Sequence, residues 1–311
     1  MSPARPRRGG AVRLTRTKVR ELDAAALGLA SPVGAIDDDD PRLLQVRALL
    51  DEGYAGVILV GPPGTSKTWY AAQIAAMLAD RDPERVRFLQ FHPSYQYEDF
   101  VEGLIPEKAG GFAFQDKHLL EMCNVAERVP GKLCVIVIDE INRADPSRAF
   151  GEALTYVEMS KRGLKFHLAA SGREISIPRN LVFLATMNPL DRGIDEVDAA
   201  FERRFAKLPM DPDANLLRQF LEEAGLDTAL IERVVEFFEH RLRDPNEHGR
   251  IGHAYFHGVG SAESLQRRWD YQLRFHFQKA FRLHPDELRA VERGWQRIFA
   301  AGEDAAEEPE A

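Results

Sequence analysis

Gly56-Val57-Ile58-Leu59-Val60-Gly61-Pro62-Pro63-Gly64-Thr65-Ser66-Lys67-Thr68 is the stretch on which the fold turns. Gly56 to Val60 is a short, mostly β-branched apolar run that predicts a strand. Gly61 to Lys67 is a Gly/Pro loop, and Thr68 to Ala79 is alanine-rich and predicts a helix. Strand, glycine loop and helix in that order are the context in which G-x-x-x-x-G-K-[ST] binds phosphate. Gly61, Pro62, Pro63, Gly64, Thr65, Ser66, Lys67 and Thr68 fit that pattern at every position but Ser66, where it has glycine. In such a loop successive backbone N–H groups and the helix N-terminus form a concave anion site. Lys67 is placed to reach the β and γ phosphates, and the Thr68 hydroxyl to ligate Mg²⁺. A plain Gly/Pro turn would not call for Lys-Thr at the helix start.

Working outward, Pro41 to Gly53 spaces Leu43, Leu44, Val46, Leu49 and Leu50 as one face of a helix. Further strands are expected at Val86 to Phe91, Leu133 to Ile138 and Leu181 to Thr186, with helices at His118 to Arg128 and Arg148 to Met159. That alternation predicts a parallel sheet with crossover helices, an α/β class. Lys165 to Leu168 and Glu174 to Ile177 flank Ser171-Gly172 and read as a β-hairpin insert. From Pro212 onward only helical periodicity remains, and Pro285 opens a last helix ending near Ala300. The expected organisation is a leader over 1–40, a nucleotide-binding α/β domain over 41–211, a smaller all-helical lid domain over 212–301 and an acidic tail over 302–311.

Leu133 to Ile138 is wholly apolar and delivers Asp139 and Glu140 at its C-terminal end, the edge where open α/β sheets bind ligands. Asp139 is expected to hold the Mg²⁺ shell, and Glu140 to orient and deprotonate the attacking water. Leu181 to Asn188 ends in an amide, Asn188, suited to contact a γ-phosphate or the water. In Asp198-Ala199-Ala200-Phe201-Glu202-Arg203-Arg204-Phe205 two adjacent arginines cannot both be buried within one subunit without partners. One of them is expected to face a neighbouring subunit's γ-phosphate; surface salt bridging is the plainer alternative.

The chain has 311 residues, 44% hydrophobic and 29% charged, with a net charge of −8. No apolar run approaches the roughly 20 residues that span a bilayer, and no secretory leader is evident, so a cytoplasmic protein is expected. Cys123 and Cys134 lie in apolar contexts without metal-ligand spacing and read as buried, reduced thiols. The first twenty residues carry seven Lys/Arg and no Asp/Glu. The leader is expected to be solvated, with DNA contact weak or indirect and directed at phosphates. No nuclease-like cluster of Asp, Glu and Lys is apparent outside the nucleotide site.

Taken together these stretches resemble the McrB family of AAA+ proteins, motor subunits of modification-dependent restriction systems, and more distantly the MoxR-like chaperone ATPases. The resemblance runs from about Gly56 to Phe256. It is carried by Gln90-Phe91-His92-Pro93-Ser94-Tyr95-Gln96-Tyr97-Glu98-Asp99-Phe100, Asp139-Glu140-Ile141-Asn142-Arg143-Ala144, Met187-Asn188-Pro189 through Arg204-Phe205, and Ile251-Gly252-His253-Ala254-Tyr255-Phe256. Read from residues alone, Phe91 to Phe100 is only a packed, partly polar loop.

The resemblance implies an AAA+ sheet domain with a helical lid, assembled into a nucleotide-dependent ring, a hexamer, with ATP or GTP and Mg²⁺ as cofactors. It implies Asn142 beside the carboxylates, Asn188 as sensor, Asp191 and Arg192 in the sensor loop, and Arg203 or Arg204 as the arginine finger. Met-Asn-Pro departs from the Met-Asn-Thr-Ala-Asp-Arg form of the best-known members. About fifty residues precede the first strand, so a separate target-reading domain ahead of it is not expected. The implied partner is a nuclease-associated, McrC-like subunit. A MoxR-like chaperone, a GTP-specific motor and a nucleotide-gated scaffold with little turnover are the alternatives. ATP is the expected nucleotide, because the Asn/Lys-x-x-Asp base-reading signature of other GTPases is absent.

Overall fold

The computed structural model describes residues 36–108, 110–189 and 198–300. The chain enters through helix α1, Pro41–Asp51, capped by the Asp40 carboxylate on the N–H groups of Arg42 and Leu43. Strand β1, Gly56–Val60, and helix α2, Lys67–Leu78, follow, then strand β2, Val86–Gln90, and a short helix α3, Tyr97–Phe100. Strands β3, Glu102–Pro106, and β4, Phe112–Asp116, pair antiparallel. Helix α4, His118–Arg128, leads to β5, Cys134–Asp139.

Helices α5, Pro146–Phe150, and α6, Ala153–Val157, occupy the region where one continuous helix is expected. Between them Gly151 has φ +53, and a side chain there would meet the Tyr97 ring at 2.8 Å, so the break is a glycine-only corner. The expected hairpin is present as β6, Lys165–His167, and β7, Glu174–Ser176. Strand β8, Leu181–Met187, helix α7, Ala199–Glu202, and strand β9, Phe205–Pro209, complete the sheet domain.

The sheet order is β2-β5-β8-β1-β9 with every pairing parallel. Every residue of β5 and β8 is buried, as central strands of a sheet covered on both faces must be. In the register, Val60 stands beside Met187 and Pro209, and Gln90 beside Asp139. Five strand ends therefore meet at one edge, and that edge carries the site. Cys123 and Cys134 are free and buried, and burial pushes the Cys123 thiol up to about 12.

After β9 the chain is helical: α8, Ala214–Glu223, α9, Thr228–Leu242, α10, Ala262–Arg268, a π-helical turn at Trp269–Leu273, α11, Arg274–Ala280, and α12, Pro285–Ala300. These helices bury a core of their own, built on Leu217, Phe238, Phe256, Phe277 and Trp295, with Trp269 stacked on Trp295 at 4.8 Å. The sheet domain's core holds none of these residues. All described residues nevertheless fall within one compact unit, Ser31–Ala311.

Candidate functional site: a phosphate loop backed by two carboxylates

The loop joining β1 to α2 is held by bonds that the residue types dictate. Thr65 is buried, and its hydroxyl donates to the Pro62 carbonyl at 3.0 Å. The Lys67 ammonium donates to the same carbonyl at 2.8 Å, so the cation turns back over the loop. Ser66 takes φ +59, the left-handed conformation that glycine supplies in the usual pattern. The serine is thus accommodated, and its hydroxyl lies 3.1 Å from Nε2 of His253. Helix α2 begins at Lys67, which aims the first-turn amides and the positive end of the helix dipole at the loop.

Behind the loop stands Asp139, only 8% exposed. Its Oδ1 accepts from the Thr68 hydroxyl at 2.8 Å and from the Thr186 hydroxyl at 2.6 Å. The Thr186 oxygen in turn accepts the N–H of Glu140 at 3.0 Å, which holds that residue in the left-handed region at φ +52. The Glu140 carboxylate is gripped at one oxygen, Oε2, by the Gln90 amide at 2.9 Å and Arg143 Nε at 3.1 Å. Both of these described contacts fall on Oε2 and none on Oε1.

Hard oxygen donors at Thr68 and Asp139, within hydrogen-bond distance of each other, fit Mg²⁺, which takes few protein ligands and fills its shell with water and phosphate. Among the described residues no cluster of three His, Cys, Asp or Glu side chains offers an alternative metal site. Mg²⁺ bound there would neutralise charge developing on the phosphate oxygens.

Asn142 is buried and donates to the Asn188 carbonyl at 3.0 Å, while the Gly61 N–H donates to the Met187 carbonyl at 3.2 Å. The end of β8 is thereby fixed against both the carboxylate turn and the phosphate loop, and Asn188 with it. Asp191 and Arg192 lie outside the described residues. Thr186 and Gln90 bond directly to these two carboxylates, and the sequence reading assigns neither a role. The signal for Thr186 is a hydroxyl in an otherwise apolar strand, two positions before Asn188.

Arg203 and Arg204 are at the other end of the sheet. They precede β9, whose first residue pairs with Gly56, and the Ala55 N–H donates to the Arg204 carbonyl. The length of β1, about 3.3 Å per residue, separates them from their own phosphate loop, which begins after Val60. Arg204 is buried: its guanidinium bonds to the Ala200 carbonyl, Nε lies 4.0 Å from Glu158, and burial lowers its pKa. Arg203 is exposed. A cleft of about 440 Å³ lined by Tyr54, Glu158, Met159, Arg203 and Arg204 opens beside them. Both arginines are therefore separated from this chain's own phosphate loop by the length of β1, and of the two only Arg203 is exposed.

The segment Ile251 to Phe256, to which the sequence alone gave no role, packs directly on the phosphate loop. The Ala254 N–H donates to the Gly64 carbonyl at 2.9 Å. A Cβ at Gly252 would lie 2.1 Å from that carbonyl, so glycine is required for the approach.

A five-stranded parallel sheet, a phosphate loop on one strand end, paired carboxylates on the next but one and a helical domain laid over the loop define the AAA+ class of P-loop proteins. The sequence profile of the AAA domain of the dynein-related subfamily matches residues 56–205, from the first strand through both arginines. The chain is 33% identical to the type IV methyl-directed restriction enzyme EcoKMcrB subunit of Escherichia coli (strain K12), over 68% of this chain and 50% of that protein. It is 26% identical to the type II restriction enzyme BsuMI component YdiS of Bacillus subtilis (strain 168), over 48% of this chain and 55% of that protein. The chain belongs with the McrB-like AAA+ proteins, and it spans about half the length of the relatives it matches.

Proposed function

We propose that this chain is the nucleotide-hydrolysing subunit of a ring, a hexamer, which drives or regulates a partner protein of a restriction system. The observation that carries the reading is the division of the catalytic parts between two ends of the sheet. Lys67, Thr68, Asp139 and Glu140 are at one edge, and the exposed Arg203 is at the other, where only a neighbouring subunit's nucleotide can meet it. Lys67 and the loop amides bind the β and γ phosphates, Thr68 and Asp139 hold Mg²⁺, and Glu140 takes the proton of the attacking water through Oε1. Asn188, held by Asn142, orients that water or the γ-phosphate, and Arg203 of the adjacent subunit stabilises the transition-state charge. Arg204 props the finger from below.

ATP is the proposed nucleotide, and competition by GTP in a binding titration decides it. The names of the two relatives, both restriction-enzyme components, support a nuclease-associated partner, and a McrC-like subunit is the partner proposed. DNA contact is proposed to be weak or indirect. No described helix is long and apolar enough to cross a membrane, and the proposed location is the cytoplasm. Purification of the tagged chain from its native host with mass analysis tests the role: a nuclease-bearing partner is expected, and a metal-ion adhesion-type partner would favour a MoxR-like chaperone.

A further inference from the structure

His253 lies where the helical domain touches the phosphate loop, and its hydrogen bonds can be assigned atom by atom. Nδ1 accepts the backbone N–H of Asp213 at 3.2 Å, so the ring proton of the neutral imidazole sits on Nε2. Nε2–H then donates to the Ser66 hydroxyl at 3.1 Å. The ring is 1% exposed, and Phe220 packs against it at a centroid distance of 5.7 Å. Burial pushes its pKa down to about 4, so it is neutral near pH 7.

Each partner of this ring belongs to a different element. Ser66 is the loop's non-glycine residue in the left-handed region, a conformation costly for serine unless its surroundings over-determine it. Asp213 lies in the link from β9 to α8. Its carboxylate caps α8 through the N–H groups of Asn215 and Leu216 and lies 3.6 Å from Arg42 of α1. Arg42 donates to the Tyr70 hydroxyl at 3.0 Å, on the helix that the loop opens. A closed circuit thus runs from loop to helical domain, to interdomain link, to α1, and back to α2. Next to the ring, the Gly64 carbonyl accepts the Ala254 N–H, and the Tyr255 ring covers Gly64.

We propose that His253 is a positioning residue that holds Ser66 in its left-handed conformation from the helical domain, so that loop geometry and seating of that domain change together. A change in the loop on nucleotide binding is then transmitted to the helical domain through Ser66. That step rests on the proposed nucleotide function, whereas the contact itself does not.

The test uses the full chain with His253→Ala, His253→Gln and Ser66→Gly, singly and with Ser66→Gly/His253→Ala combined. Amide hydrogen exchange over residues 252–257 without nucleotide is the first readout. His253→Ala and Ser66→Gly are each expected to speed exchange at Ala254 about tenfold, and the double variant no further, because both remove one interaction. His253→Gln, which presents an N–H donor at the reach of Nε2, is expected to recover most of the protection. The second readout is binding and turnover of ATP·Mg²⁺: His253→Ala is expected to raise KM about tenfold while changing kcat less than threefold, the signature of lost ground-state positioning. Unchanged exchange at Ala254 in both single variants, or effects that simply add in the double, would overturn the proposal. So would a loss confined to kcat. A wild-type chain with the expected exchange pattern but no nucleotide binding upholds the contact and refutes the proposed function instead.

Discussion

Replacing Thr186 by valine removes one oxygen and keeps the side-chain shape, and it dismantles the junction on which both carboxylates depend. Thr186 is 2% exposed, donates to Asp139 Oδ1 at 2.6 Å and accepts the Glu140 N–H at 3.0 Å. A hydrogen bond to a buried charge is worth about 1.5–3 kcal/mol, and leaving the Glu140 amide without its acceptor adds about 1. The expected loss of unfolding free energy is about 2–4 kcal/mol. Glu140 would also lose the tether that keeps it at φ +52. General-base catalysis contributes about 10²–10⁴ in rate, so a misplaced carboxylate is expected to lower kcat at least tenfold, about 1.4 kcal/mol in the barrier. Nucleotide affinity, carried mainly by Lys67 and the loop amides, is expected to fall much less. Denaturant midpoints and steady-state turnover measure the two effects, with Thr186→Ser as the control that keeps the hydroxyl. A Thr186→Val protein with wild-type stability and turnover within twofold of wild type would refute this account of the junction.

Glu140→Gln is expected to bind nucleotide normally and to lose turnover by at least a hundredfold, since the amide cannot accept the proton; turnover at the wild-type rate would remove Glu140 from the role of base. Arg203→Ala is expected to abolish turnover without lowering the thermal midpoint, whereas Arg204→Ala, which vacates a buried position, lowers it by several degrees; the reverse pattern would exchange their roles. His253 makes stability pH-dependent. Its folded pKa of about 4, set by burial and adjusted by Asp213 and Arg42, lies below the ordinary 6.5, so between those values the unfolded chain binds more protons. Stability therefore falls as pH drops through that window, by about 2 kcal/mol between pH 7.5 and pH 5. Denaturation of His253→Gln at the two values, lacking this component, checks it.

The elements legible in the sequence are those whose burial leaves a one-dimensional trace. Strands β1, β5 and β8 read as apolar runs because both faces of each are covered, and the phosphate loop reads because its chemistry demands particular residues at fixed spacing. Strand β9 escaped because it is a short edge strand carrying Lys207 and Pro209. The β3–β4 hairpin escaped because Leu104, Phe112 and Phe114 stay 42–69% exposed, so its apolar residues mark no core. Which of two adjacent arginines is free depends on where Glu158 and the Ala200 carbonyl lie, and no spacing rule encodes that. The same holds for Ser66: its departure from glycine is intelligible only beside His253, 187 positions further along the chain.

The central claim is that one active site is shared by two subunits, and mixing variants tests it most directly. Lys67→Ala subunits lack the phosphate-binding cation, and Arg203→Ala/Arg204→Ala subunits lack the residues offered to a neighbour; each is expected to be inactive alone. Mixed at varying ratios with ATP·Mg²⁺, they are expected to form some interfaces that join an intact loop to an intact arginine. Turnover is predicted to reappear, peaking at intermediate ratios at a sizeable fraction of the wild-type rate per intact interface. No recovery at any ratio, with mixed assemblies confirmed by light scattering, would contradict the shared site.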